Sequence, residues 1–267
     1  MRALIGLAVV GLILAGCANG YQRFYVSTLG PTLVAQPLPP TSPPRIMSSS
    51  GNSLADVQEL WAEGYMQIGY ASFSGAITPD NDPVVQAKKV GAAIVVVSQR
   101  YASTISGVTP IVTTTPVTTT ESGTANAYGS GGMAFGSYSG TSTTYVTDTA
   151  YMPYSVNIYN QTAIFFARGT KAGTGLLFMA LTPQMVSRLG TNRGVLVTAV
   201  RRGSPGFFAD IVPGDVIQSV DGQVVYDGDT MVQAGKAGWG HAATYQLLRH
   251  GKPYAVMVSI NADGSWP

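Results

Sequence analysis

Charge is what this sequence has least of. Only 10% of its 267 residues are charged, against about a quarter in ordinary globular chains. The 15 Lys and Arg barely outnumber the 13 Asp and Glu, and they form neither a basic stripe nor an alternation with aromatics. A nucleic-acid partner is therefore not expected. The single cysteine, Cys17, excludes an internal disulfide and any cysteine-rich zinc site. The two histidines, His241 and His250, cannot complete a three-ligand zinc site without carboxylates. There is no P-loop and no glycine-rich dinucleotide turn after a strand. A G-x-S-x-G nucleophile elbow is also missing: in Gly136-Ser137-Tyr138-Ser139-Gly140 a tyrosine stands where the serine belongs. The acid pairs Asp80/Asp82 and Asp227/Asp229 suit turns and helix N-caps better than calcium. No catalytic residue, metal or cofactor emerges, so an enzyme is not expected.

Apolar and turn-forming residues are abundant. The chain is 45% hydrophobic and carries 32 glycines, 16 prolines and long Thr/Ser runs, which predicts β-structure and turns around a folded core. Its length allows one large domain or two small ones. At the N-terminus, "MRALIGLAVVGLILAGC" has a basic Arg2 and an apolar run from residue 3 to 15. That run is too short to span a bilayer and reads as a signal-peptide core over residues 1–16. Leu14-Ala15-Gly16-Cys17 resembles the bacterial lipobox. The resemblance implies cleavage before Cys17 and acylation of its thiol, hence a membrane partner through a lipid anchor; an ordinary signal peptide or an uncleaved anchor with an incidental cysteine is the alternative. Ala18 stands where many Gram-negative lipoproteins carry an inner-membrane retention aspartate. The expected location is thus the cell envelope, at the outer membrane facing the periplasm.

Residues 17–52 read as a Pro-rich tether, because Pro37, Pro39, Pro40, Pro43 and Pro44 crowd into eight positions. A first domain is expected over residues 53–168. In "NSLADVQELWAEG", Ser53 is the expected N-cap, Leu54, Val57, Leu60 and Trp61 share a helical face, and Gly64 ends the helix. "YMQIGYASFSG" reads as a strand. In "DPVVQAKKVG", Asp82 caps a second helix and Pro83 opens it. "AAIVVVSQRYAST" reads as a strand buried on both faces, and "TPIVTTTPVTTT" as an edge strand because of Pro110 and Pro116. "YSVNIYNQTAIFFAR" predicts a hairpin turning near Asn160. The sum is a small α/β sandwich with helices on one face. Residues 121–150 are rich in Gly, Ser, Thr and Tyr. They read as a flexible loop, or as a tyrosine-bearing contact loop against glycan or a protein.

From Gly175 on, local turn chemistry becomes dense. "LTPQMVSRLG" has Thr182 as cap, Pro183 opening and Gly190 closing a short helix, with Met185 and Leu189 facing inward. "RGVLVTAVRRGSPG" is a strand leading to a Gly-Ser-Pro helix entry. "VPGDVIQSVDGQVV" places Pro213-Gly214 and Asp221-Gly222 turns around a strand, with Asp215 capping the bend. "YQLLRHGKPYAVMVSI" supplies two strands joined at His250-Gly251. These residues resemble a PDZ domain in the circular arrangement of bacterial trypsin-like stress proteases. The resemblance covers about a third of the chain, and the expected domain is residues 169–262. It implies a mostly-β fold with two or three short helices, so the whole chain is expected to be α+β.

The resemblance also implies binding of a protein or peptide ligand, which adds as a strand to a sheet edge with its carboxylate at a loop. Gly175, Leu176, Leu177 and Phe178 would form that loop and the strand after it, and Met231 and Val232 the facing helical wall. Leu177 departs from the family, where a second glycine is common. The proteolytic half of the resemblance has no counterpart, because the only histidines fall inside the PDZ pattern. A binding or scaffolding lipoprotein is the expected function. A structural envelope protein with a closed groove and an accessory subunit of a separate protease are the alternatives.

Overall fold

The computed structural model describes residues 19–29, 35–37, 39 and 42–267. Cys17, the lipobox and the signal-peptide expectation lie outside the described residues. Two compact units divide the rest: the described residues up to Arg100 together with Tyr159–Pro267, and Tyr101–Ile158. The architecture is mixed α+β and mostly sheet.

In the larger unit, the first sheet contains β1 (Tyr25–Ser27), β2 (Ala35–Gln36), β3 (Arg45–Ser48), β4 (Tyr65–Gly75) and the proximal parts of β5 (Ile94–Gly129) and β6 (Gly132–Gly169). The order is β1-β4-β6-β5-β3, with β2 also on β6. Only the β3–β5 pair among the registered pairs of this sheet is parallel. Its helices are α1 (Gly20–Arg23), α2 (Ser53–Ala62) and α3 (Asp82–Val90).

The apolar run at residues 92–97 is buried on both faces, because alternate side chains meet different partners. Ile94, Val96, Ile164 and Phe166 pack with Leu60 of α2. Val95, Ala163, Phe165 and Ala167 pack with Tyr21 of α1 and Ala87 of α3. The helices therefore cover both faces, not one. The expected tether is also corrected. Tyr21 is fully buried and meets Phe73 edge-on at 5.0 Å, and β1 to β3 are strands of the sheet. Proline density was a poor guide because short edge strands tolerate prolines beside them. Two caps shift by one residue: Asn52 rather than Ser53 accepts from the amides of Leu54 and Ala55, and Asn81 precedes α3.

The second sheet has the order β12-β11-β9-β8-β7, with β10 on β9. It comprises β7 (Leu176–Ala180), β8 (Val195–Val200), β9 (Val216–Val220), β10 (Gln223–Val224), β11 (Ala242–Arg249) and β12 (Lys252–Ser259). Its pairs are antiparallel. Three short helices accompany it: α4 (Pro183–Leu189), α5 (Pro205–Phe208) and α6 (Gly228–Ala237). The turn residues do what their chemistry demands. Asp221-Gly222 and His250-Gly251 both take left-handed backbone angles, the geometry that two-residue hairpins require. Thr182 accepts from the Met185 amide, and Gly190 closes α4 in the left-handed region. Met185 and Leu189 are half-buried rather than core residues. The core gathers Val195, Val197, Ile217, Val220, Tyr245, Leu247 and Val258 around Met231 and Ala234 of α6.

The smaller unit, Tyr101–Ile158, is a two-stranded ribbon made by the distal parts of β5 and β6. Its turn is at Ser130-Gly131, not near Asn160, and residues 121–129 and 132–150 are strand rather than loop. One register holds throughout: Thr104 donates to Asn157, Ser106 to Ser155, and Thr118 meets Thr143. Tyr154 lies against Gly107 and Tyr138 against Gly123, so aromatic rings cover the positions that lack a side chain. Threonine-rich strands need cross-strand partners more than a core, and core content was the signal on which the loop expectation rested.

Candidate functional site: a pocket at the start of β7

β7 ends the second sheet, so its outer side carries no neighbouring strand among the described residues. The loop leading into it, residues 173–175, is fixed from several directions. The Trp266 indole donates to the Gly173 carbonyl at 2.9 Å, and the Gly206 amide donates to the Thr174 carbonyl at 3.0 Å. The Gly175 carbonyl accepts twice, from the Arg201 amide at 2.9 Å and from the Trp61 indole at 3.0 Å. Gly175 itself has φ +74°, and a Cβ there would lie 2.2 Å from that of Ser204. Only glycine fits.

Beside this loop lies a cavity of about 230 Å³. Its apolar walls are Leu176 from β7, Val232 and Trp239 from α6 and just beyond it, and Trp61, Tyr65 and Met66 from the first sheet and α2. Two cations, Arg201 and Lys236, reach its lining, which contains no acid. Arg201 donates to the Thr170 carbonyl at 2.8 Å and stacks 4.7 Å over the Trp266 ring. Burial, and then the like charge of Arg168, lower its pKa. An apolar cavity with cations and no carboxylate suits a ligand that is apolar with one anionic end.

Three of the six residues expected to bind, Gly175, Leu176 and Val232, line this cavity. Leu177 and Phe178 are half-buried on β7, where the register shifts between them. Phe178 packs against the core. Met231 is not a wall residue: at 2% exposure it belongs to the core. α6 turns Val232, 41% exposed, to the cavity instead. Trp61, Tyr65, Met66, Arg201, Lys236 and Trp239 were missed. The one available signal was Trp61, placed on the apolar face of the helix, with no indication that its indole reaches a loop 114 residues away.

No protein-family model and no curated protein sequence match the chain. Solved structures do. The chain is similar to the HtrA-type protease AlgW with a decapeptide, at 29% identity over 36% of this chain and 35% of that one, with a TM-score of 0.28. With a tripeptide, the same protease matches at 28% identity over 37% and 39%, TM-score 0.30. The HtrA3 PDZ domain bound to a phage-derived ligand matches at 21% identity over 33% of this chain and 80% of that chain, TM-score 0.29. The chain thus spans somewhat more than a third of the length of the AlgW structures it matches.

Proposed function

We propose that this chain is a non-enzymatic envelope lipoprotein whose C-terminal domain captures protein C-termini or exposed strands. The observation that carries the reading is the cavity's position: apolar, lined by Arg201 and Lys236, and set where the unpaired edge of β7 begins. A peptide laid along β7 would give its backbone to the strand edge and its last side chain to the Leu176/Val232 cavity. Its carboxylate would lie toward the two cations.

Titrating the full chain with a C-terminal peptide library tests this directly. Peptides ending in an aliphatic or aromatic residue with a free carboxylate should bind at least tenfold tighter than their amidated forms, about 1.4 kcal/mol. Equal binding of both forms would remove the carboxylate from the reading. No binding at all would favour a structural envelope protein.

The lipid anchor is tested separately. Cys17→Ser should abolish incorporation of labelled palmitate and leave the precursor unprocessed, because a stable anchor needs the acyl chains that only this thiol can carry. Normal labelling of the variant would refute it.

A further inference from the structure

The ribbon Tyr101–Ile158 takes no part in the pocket, and its edges are unusual for a soluble protein. Among the described residues, β5 beyond Val97 and β6 before Tyr159 have no registered strand partner other than each other. The ribbon is roughly 90 Å long at 3.3 Å per residue, and an isolated two-stranded ribbon is marginal in water. Soluble proteins blunt such edges with lysines and other charges. This ribbon has no Lys or Arg, and its only charged residues are Glu121 and Asp148.

Proline does blunt the part nearest its base. Pro110 and Pro116 on β5 and Pro153 on β6 lack the amide donor that a neighbouring strand would need. From residue 117 to 144 there is no proline. The same distal part exposes Tyr128 (74%), Phe135 (73%), Met133 and Tyr138. The distal part thus keeps its outward donors and acceptors and exposes apolar rings, with no proline to block an approaching strand.

We propose that the distal ribbon, residues 117–144, pairs edge to edge with the same ribbon of further copies of this chain. A partner must bring an extended backbone of about 12 residues, roughly 40 Å, with mostly Thr/Ser/Gly side chains and few charges, matching those presented. A second copy brings both. The order is head to tail: β5 and β6 run in opposite directions, so β6 of one copy beside β5 of the next is again antiparallel. Such repetition satisfies both edges of every copy, whereas a two-fold dimer leaves one edge of each unpaired. Each copy adds two strands, and the heterologous contact closes into a barrel-like ring or continues as a filament.

The test is the mass of the purified full chain in detergent, by analytical ultracentrifugation. Three forms are compared: wild type, a form in which a short Gly/Ser turn replaces residues 101–158, and Thr120→Pro/Thr124→Pro. The two prolines repeat the even-numbered spacing of Pro110 and Pro116, so they remove outward donors from β5 while sparing the pairing with β6. Wild type should sediment as an oligomer. The ribbonless form should be monomeric with its circular dichroism melt retained, and the proline variant should associate at least tenfold more weakly. A ring or a filament supports the proposal. It is overturned if wild type stays monomeric to about 100 μM, or if the ribbonless form keeps the same oligomer.

Discussion

Asp215→Ala should cost the chain about 3 kcal/mol of stability, the largest single-residue effect expected outside the hydrophobic core. Asp215 is 1% exposed and holds three bonds at 2.9 Å: from the Val212 amide and from Nε and Nη2 of Arg249. Removing the carboxylate leaves a partly buried guanidinium with only Asp210 for an ion-pair partner, and leaves the amide of the Pro213-Gly214 turn without its acceptor. The guanidinium also lies 4.5 Å over the Tyr254 ring, so its displacement loosens β12 as well. Urea denaturation gives the number. Asp210→Ala is the internal control, since that side chain is 70% exposed and should cost under about 1 kcal/mol. Asp215→Leu/Arg249→Met should recover much of the loss, because a buried pair replaced by apolar groups no longer strands a charge. A loss below about 1 kcal/mol for Asp215→Ala would mean that the turn holds without its cap.

Val232→Trp should weaken peptide binding on the order of thirtyfold, about 2 kcal/mol. Val232 lines the cavity yet is 41% exposed, so the larger ring has room to turn into the cavity without displacing the core. Once there, it occupies the space that the ligand's last side chain would fill, and the burial energy of that side chain is lost. Lys236→Ala removes one cation from the same lining and should discriminate differently. It should lower affinity for free-carboxylate peptides and leave the amidated ones unchanged. Phe208→Ser, on α5 and outside the cavity lining, should change neither. Isothermal titration on the full chain reads all three. Unchanged affinity in Val232→Trp would place the ligand elsewhere.

Much of the second sheet was legible because its turns are made by local chemistry. Pro213-Gly214, Asp221-Gly222 and His250-Gly251 each dictate a backbone path within a few residues, and the strands between them follow. The helix wall was half legible. Met231 and Val232 are adjacent and both apolar, so only packing decides which faces the core. The segment before residue 53 was misread for a different reason. Burial of Tyr21 depends on Phe73, and pairing of β3 depends on Ile94 to Val97; neither partner leaves a trace in the segment itself. The ribbon escaped because its stability question is one of register. Thr118 opposite Thr143 is invisible to any reading of hydrophobic content.

The Trp61 indole bound to the Gly175 carbonyl ties α2 to the loop that opens β7, and the Arg202 amide bound to the Ala62 carbonyl ties its end to the turn after β8. A ligand in the cavity would touch walls from both sheets, and so bind only when both are folded. Mass action then links the two: at a hundred times its dissociation constant the ligand would stabilise the whole assembly by about 2.7 kcal/mol. Heating would reverse the linkage, so that loss of the first sheet is felt as loss of affinity in the second. A fragment cut at residue 169 would carry β7 and α6 but forfeit Trp61, Tyr65 and Met66. Its affinity would therefore understate that of the intact chain.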